Sequence, residues 1–396
     1  MSNSNRDEIL SKPKDDWTKR KMKVMSVFGT RPEAIKMAPV LKLIETIPNM
    51  QNVVCLTGQH VEMIQPALEL FNIIPDFECD LQDEADTMAN RVGEMVKFIG
   101  DRIADVQPDI VLVHGDTIST VAGALAAFYN NKKVGHVEAG LRSFDLTAPW
   151  PEEGNRKVVS TISDFNFAPS TLAKQNLISE GVPSQKIHIT GNTVVDALLS
   201  ISNEIDNQKL DLERLQTKFR YLNPNSKLVL ATCHRRENFG PKTKQIFGAF
   251  QAIANSNSSV QIVLPAHLNP AIFEQAITFF SETKNVFVVP PQDYLSFVYL
   301  LKLSYMVVTD SGGIQEEAPI LSKPVLVLRD KTERPEATDS NAVKLIGSSK
   351  KTIVNEMQTL LDSPSLYSSM AKFSSPYGDG SAAKKIVETI QTYVDA

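Results

Sequence analysis

The chain has 396 residues, which at roughly 150 residues per domain points to two or three domains. Hydrophobic residues make up 42% and charged residues 22%, a globular balance that excludes wholesale disorder. Lys+Arg 41 against Asp+Glu 46 leaves a net charge of −5, which argues against a general nucleic-acid binder but leaves room for a local basic pocket around one small anion.

The first 21 residues are polar and lack an apolar h-region, so they read as a tail rather than a secretory signal. No apolar run approaches the roughly 18 residues that span a bilayer. Cys55, Cys79 and Cys233 lie far apart and form no metal or disulfide pattern. A soluble cytoplasmic enzyme is expected.

After the tail, short β-branched runs alternate with turns and helical patterns, which implies parallel sheet covered by helices. The first half predicts strands at Val24–Phe28, Val53–Thr57, Ile110–His114, Val134–Val137, Phe165–Ala168 and Ile187–Thr190. Helical patterns fall at about 31–47, 60–72, 87–106, 117–129, 155–163 and 170–180. The pattern restarts with a long helical stretch near Thr193–Leu215. Strands follow at Leu228–Thr232, Gln261–Leu264, Val286–Val289, Met306–Thr309, Val325–Leu328 and Val343–Ile346, and a last helix at about 382–395. The reading is two α/β halves joined near Gly191.

Open parallel sheets bind ligands beyond the C-terminal strand ends. Those ends are polar here: Gly29-Thr-Arg-Pro-Glu33, Gly58-Gln-His60, His114-Gly-Asp-Thr117, His136-Val-Glu138, Thr190-Gly-Asn192, His234-Arg-Arg-Glu237, Pro265-Ala-His267 and Asp310-Ser-Gly-Gly313. Both halves contribute, so a site in a cleft between them is expected.

Asp310-Ser-Gly-Gly-Ile-Gln-Glu-Glu317 follows a strand and opens a helix. Small residues there let a phosphate approach free backbone N–H groups, and Glu316 or Glu317 could accept from ribose hydroxyls. An ordinary strand–turn–helix junction with a serine cap is the plainer alternative. Thr30 and Glu33 have capping-box spacing and Pro32 suits a first turn, which leaves Arg31 as the surplus group able to face an anion. Arg31, Arg142, Arg156, Arg235, Arg236 and Arg334 all stand near strand ends, and convergence of three would make a diphosphate pocket.

His114-Gly-Asp116, His136-Val-Glu138 and the two carboxylates of Trp150-Pro-Glu-Glu-Gly-Asn-Arg156 allow two chemistries. A divalent metal would use such donors. Alternatively, the carboxylates do acid–base work and stabilise a developing cation. The metal reading is weaker, since no HExxH or cysteine site supports it. Capping and salt bridging would explain Asp116, Glu138 or Glu153 one at a time. GxxxxGK[ST] and GxSxG are absent. Gly378-Asp-Gly-Ser-Ala-Ala383 fits GxGxxA in letters but follows a Pro-Tyr turn, so nicotinamide chemistry has no support.

From about Met22 to the C-terminus, the chain resembles the non-hydrolysing UDP-N-acetylglucosamine 2-epimerases. The motifs are Phe28-Gly-Thr-Arg-Pro-Glu-Ala-Ile-Lys-Met-Ala-Pro39, Val113-His-Gly-Asp-Thr117, Gly135-His-Val-Glu-Ala-Gly-Leu-Arg142, Pro149-Trp-Pro-Glu-Glu153, His234-Arg-Arg-Glu-Asn238, Thr309-Asp-Ser-Gly-Gly-Ile-Gln-Glu-Glu-Ala-Pro319 and Thr332-Glu-Arg-Pro-Glu336. The resemblance implies a glycosyltransferase-B-like α/β fold, with two Rossmann-like domains whose parallel sheets face a deep cleft. A tail would occupy residues 1–21, an N-terminal domain 22–191 with a helix at 381–396 packing back on it, and a UDP-binding domain 192–380. It also implies a homodimer that needs no cofactor and no metal, with UDP-GlcNAc and UDP-ManNAc as its partners and surface-polysaccharide synthesis as its outlet.

By motif position, the resemblance places catalytic carboxylates at Asp116, Glu138 and Glu152, with His234 at the diphosphate. Arg31, Ser311, Gly312 and Gly313 would hold phosphates, Glu317 the ribose hydroxyls and Phe297 the uracil; Lys36 and Arg334 would contact sugar or phosphate. Members regulated by UDP-GlcNAc often carry Gln-His-Arg-Gln where this chain has Gln59-His-Val-Glu62, and Arg91 matches a further position of that second nucleotide site. An allosteric site at Gln59, Glu62 and Arg91 is therefore implied only in altered form. Gly154 stands where Met or Ala is common, and Cys233 where Gly or Ala is. A glycosyltransferase of the same fold, a hydrolysing relative and a non-catalytic nucleotide-sugar sensor are the competing readings. The acidic cluster disfavours the first and the last.

Overall fold

The computed structural model describes residues 20–81, 87–208, 210, 212–233, 238, 240–266, 270–332 and 335–394. Two of the proposed site residues, His234 and Arg334, lie outside them, as do Arg235, Arg236 and His267.

The β-branched runs form two all-parallel sheets. The first contains β1 (Met22–Phe28), β2 (Met50–Leu56), β3 (Phe77–Glu78), β4 (Ile110–His114), β5 (Lys133–Val137), β6 (Phe165–Ala168) and β7 (Ile187–Ile189), in the order β3-β2-β1-β4-β5-β6-β7. The second contains β8 (Lys227–Thr232), β9 (Val260–Pro265), β10 (Val286–Val289), β11 (Met306–Thr309), β12 (Val325–Val327) and β13 (Val343–Leu345), in the order β10-β9-β8-β11-β12-β13. β4 is buried at every position. That burial is why it reads as a continuous apolar run rather than an alternating one.

Strand order reverses between β1 and β4 in the first sheet and between β8 and β11 in the second. At such a switch point the connecting helices leave for opposite faces and open a crevice beyond the strand ends. The first crevice is bordered by Gly29–Arg31 and Gly115–Asp116. The second is bordered by Cys233 and Asp310–Gly313. The glycine after β1 has no alternative, because a Cβ on Gly29 would stand 1.9 Å from Thr57 Oγ1.

The final helix, Ala382–Val394, buries Ile386, Val387 and Ile390 in the same core as the Arg31–Glu45 helix of the first sheet. The Thr193–Asp206 helix touches Arg31–Glu45 on one side and Tyr294–Leu303 on the other, so it bridges the two sheets.

Three expectations about elements need correction. The two-residue strand β3 was not foreseen, being too short to show a period. The helix expected over Thr193–Leu215 is two helices, Thr193–Asp206 and Leu212–Lys218. The helix expected from residue 155 begins at Glu152. This last shift matters, because it moves both carboxylates of the Pro-Glu-Glu motif from a loop onto a helix.

Candidate active site

The site begins at the end of β5. Glu138 adopts a left-handed backbone, φ 63°, which costs an L-residue roughly 1–2 kcal/mol. Sheet-like bonds on either side hold it there: Gly115 N–H donates to Val137 O at 2.9 Å and Ala139 N–H to Phe167 O at 3.0 Å. The bend brings the Glu138 carboxylate across the end of β4. There Lys36 Nζ, from the Arg31–Glu45 helix, donates to its Oε2 at 2.5 Å.

His114 Nε2 lies 3.9 Å from the same oxygen, yet this is not an ion pair. Burial is the largest influence on His114 and pushes its pKa down to about 3, against the attraction of Glu138. His136 is likewise lowered by burial, to about 4, although its Nε2 contacts Gly115 O at 2.7 Å. A carbonyl only accepts, so the His136 proton sits on Nε2. Both imidazoles are neutral at working pH, and Lys36 supplies the positive charge at Glu138.

Asp116 follows β4 and is held by the helix that Glu152 opens. Arg156 Nε donates to Asp116 Oδ2 at 2.9 Å, and Asn155 Nδ2 donates to the Asp116 carbonyl at 2.8 Å. Glu152 stands four residues before Arg156, so the two share a helix face and Glu152 lies on the Asp116 side. Its Oε2 is buried and has no hydrogen-bond partner among the described residues. Glu153 has the opposite fate. Its carboxylate accepts from Ser143 N–H and Phe144 N–H, each at 3.0 Å, and pairs with Arg156 at 3.0 Å. Burial alone would raise the Glu153 pKa, but these donors together hold it below the usual range. Glu153 is structural; Glu152 is available for chemistry.

On the second sheet, Ser311 caps the short helix Gly312–Glu317 through its backbone, and its hydroxyl makes no capping bond. The added Cβ at Gly313 would meet little, its nearest neighbour being Glu317 Oε2 at 4.0 Å. Tyr294 Oη donates to Glu317 Oε1 at 3.1 Å. Burial raises the Glu317 pKa to about 7, with Glu316 adding to the rise while Tyr294 and Lys36 oppose it. Phe297 is half-buried, one turn along the Tyr294–Leu303 helix.

One side chain reaches carboxylates of both halves. Asn192 Nδ2 donates to Glu138 Oε2 at 2.7 Å and to Glu316 Oε2 at 2.8 Å. Lys36, Glu138, Asn192 and Glu316 thus form one chain of contacts across the interface.

Arg31 opens its helix half-buried beside the first crevice, with no partner among the described residues. Its neighbour Glu33 is consumed by structure, accepting from Gly29 N–H at 3.1 Å, Thr30 N–H at 2.8 Å and Thr117 Oγ1 at 2.7 Å. Gln59 accepts from Ser119 Oγ at 2.6 Å, whereas Glu62 and Arg91 are exposed on the first turns of separate helices. Among the described residues, no group of three or more His, Cys, Asp or Glu is placed to hold a metal ion.

Residues 42–391 match a family model described as UDP-N-acetylglucosamine 2-epimerase. The UDP-N-acetylglucosamine 2-epimerase of Salmonella typhimurium is 44% identical over 372 residues, covering 94% of this chain and 99% of its own. The chain belongs to the UDP-N-acetylglucosamine 2-epimerase family. Solved structures agree with this placement. A UDP-GlcNAc 2-epimerase from Neisseria meningitidis bound to UDP-GlcNAc aligns with TM-score 0.87 at 44% identity, over 94% of this chain and 100% of that one. The Methanocaldococcus jannaschii enzyme, in complex with UDP-GlcNAc and UDP, aligns with TM-score 0.77 at 32% identity, over 94% and 100%. The epimerase-family fold of two parallel sheets is the one described above.

Sequence reasoning missed two contributors in this family member. In the sequence Asn192 reads only as a polar strand-end residue, because its two carboxylate partners are far away along the chain. Tyr294 carried no signal, its hydroxyl finding Glu317 only in the folded chain.

Proposed function

We propose that this protein interconverts UDP-N-acetylglucosamine and UDP-N-acetylmannosamine by eliminating UDP and adding it back. The C2 proton of a sugar acetal is barely acidic. Loss of UDP builds an oxocarbenium-like centre at C1, and that centre acidifies the proton. A base then takes it, leaving 2-acetamidoglucal and UDP. Reprotonation on the other face, with UDP returning to C1, gives the epimer.

That sequence needs carboxylates around the sugar and anion-binding groups around UDP. Asp116, Glu138 and Glu152 supply the first and share the base, acid and charge-stabilising roles among them. Arg31, Ser311, Gly312 and Gly313 supply phosphate contacts, with His234 and Arg334 beside them. Lys36 pairs with Glu138 and contacts sugar or phosphate, Glu317 takes the ribose and Phe297 the uracil. Residues 22–191 with the last helix, and 192–380, act as the two domains of a cytoplasmic homodimer that supplies surface-polysaccharide synthesis. The 2-acetamidoglucal must be retained between the sheets, which a closed cleft achieves.

The observation that carries this reading is the division of labour at the end of β5 and the start of the Glu152–Ile162 helix. Glu138 is pre-bent and paired with Lys36, Asp116 is gripped by Arg156, and Glu152 keeps a buried oxygen unpartnered. A pure binder has no use for three such groups around one sugar. Proton NMR of UDP-GlcNAc incubated with the protein in D2O, with no added NAD or metal, tests it. UDP-ManNAc carrying deuterium at C2 is expected. Free ManNAc with UDP would assign the hydrolysing reaction instead, and an unchanged spectrum from UDP-binding protein would reject the substrate.

A further inference from the structure

We infer that Asn192 is a positioning residue for Glu138, its carboxamide fixing that carboxylate to the Gly312–Glu317 helix at the point where the chain crosses between the sheets. The inference rests on the proposed role of Glu138 and deepens it.

The geometry uses every polar function of Asn192. Its Oδ1 accepts from Val194 N–H at 3.1 Å and caps the Thr193–Asp206 helix. Its two amide hydrogens go to two carboxylates on different sheets, Glu138 at 2.7 Å and Glu316 at 2.8 Å. Its backbone N–H donates to Tyr377 O at 2.6 Å, and its carbonyl accepts from Val195 N–H at 3.1 Å. The residue is 1% exposed.

A helix cap alone does not require this side chain. Ser, Thr or Asp cap as well as Asn. Only an amide offers one acceptor for the cap and two donors for two carboxylates at once. The donors are also needed electrostatically, since Glu138 and Glu316 approach one nitrogen and would repel without it. A nucleotide seated on the Gly312–Glu317 helix therefore fixes Glu316, and through one rigid amide fixes Glu138.

The charged and titratable groups facing this point are Lys36 from the Arg31–Glu45 helix, His114 and His136 from β4 and β5, and Glu316 and Glu317 from the second sheet. Burial keeps both histidines neutral, so among the described residues Lys36 is the cation paired with Glu138, and the Asn192 amide donates to Glu138 and Glu316.

The test is Asn192→Asp, which keeps shape and cap oxygen but replaces the two amide donors with a carboxyl that donates at most one hydrogen, run beside Asn192→Ser, which keeps a cap but adds no titratable group. For each folded variant, kcat for UDP-GlcNAc epimerisation, its pH profile, UDP affinity and the thermal midpoint are measured. Misplacing a reacting group by about an ångström costs about 100-fold, so kcat is expected to fall on that order in both variants while UDP affinity stays near wild type. In Asn192→Asp the introduced carboxyl donates one hydrogen while protonated and repels once ionised. The alkaline limb of its profile moves to lower pH, and that of Asn192→Ser does not. A merely structural staple would lower the midpoint and leave kcat per folded molecule and both limbs unchanged, which overturns the inference. If the wild-type protein exchanges no deuterium into C2, the proposed reaction fails and the inference falls with it. If the wild type exchanges and a folded variant matches its kcat, the reaction stands and only the inference is lost.

Discussion

Glu317 shows how burial and the proposed ribose contact pull on one carboxyl. Its folded pKa of about 7 lies above the ordinary 4.5 because burial disfavours the charge. The folded chain holds this proton where the unfolded chain has released it. Stability from this group is therefore full below the ordinary value, falls as pH rises through the interval, and is lost above about 7. Binding runs the other way, since the ionised carboxylate is the better acceptor for ribose hydroxyls. kcat/KM for UDP-GlcNAc is expected to climb as pH rises through about 7, and Glu317→Gln should flatten that limb. A limb that survives the substitution unchanged would assign it to another group. Separately, Asp116→Asn and Glu138→Gln should each lower kcat by about 10²- to 10⁴-fold with UDP affinity retained, read by steady-state kinetics and calorimetry. At this scale the sequence made the strand-end loops legible, because they carry the polar residues. It left Glu152 and Glu153 indistinguishable, since adjacent carboxylates at a helix start differ only in which face the helix turns inward. Asn192 was hidden because its partners, Glu138 and Glu316, lie 54 and 124 residues away along the chain.

Helix and strand periods were legible wherever an element spans more than a turn or a few strand residues. The long Met88–Val106 helix and the fully buried β4 stand out in the sequence for that reason. β3 pairs through two residues only, too few for alternation to register. The Glu152–Ile162 helix starts earlier than its apolar pattern suggests, because it buries no apolar residue before Val159. That first turn contains Gly154, whose added Cβ would meet nothing within 4 Å. Its backbone is helical, so glycine there brings only flexibility to the unfolded chain. Gly154→Ala should stabilise the protein by about 0.5–1 kcal/mol, read as an upward shift in the urea midpoint. A destabilised variant would mean that the glycine is kept for space a ligand occupies.

The two-sheet architecture follows from the restart of the βα pattern, but the way the sheets are joined does not. The chain crosses between them at Gly191–Asn192 and again near Tyr377–Gly378, and the crossings touch. Asn192 N–H bonds Tyr377 O at 2.6 Å, and a Cβ on Gly191 would come within 3.0 Å of that oxygen and 3.1 Å of Gly378 Cα. Contacts between segments so distant in sequence leave no local signature. Gly191 also has φ 91°, a region L-residues avoid. Gly191→Ala therefore meets strain and a close contact together. Strain of this kind costs about 1–3 kcal/mol, and the contact should push the crossings apart and carry Asn192 with them. Gly181→Ala separates the two effects, because Gly181 has φ 86° but open space around its Cβ position. Both variants should lose stability in urea denaturation. Only Gly191→Ala should lose kcat, since only it moves the amide between Glu138 and Glu316. Equal kcat values would show that the crossing tolerates an added methyl without disturbing the carboxylates.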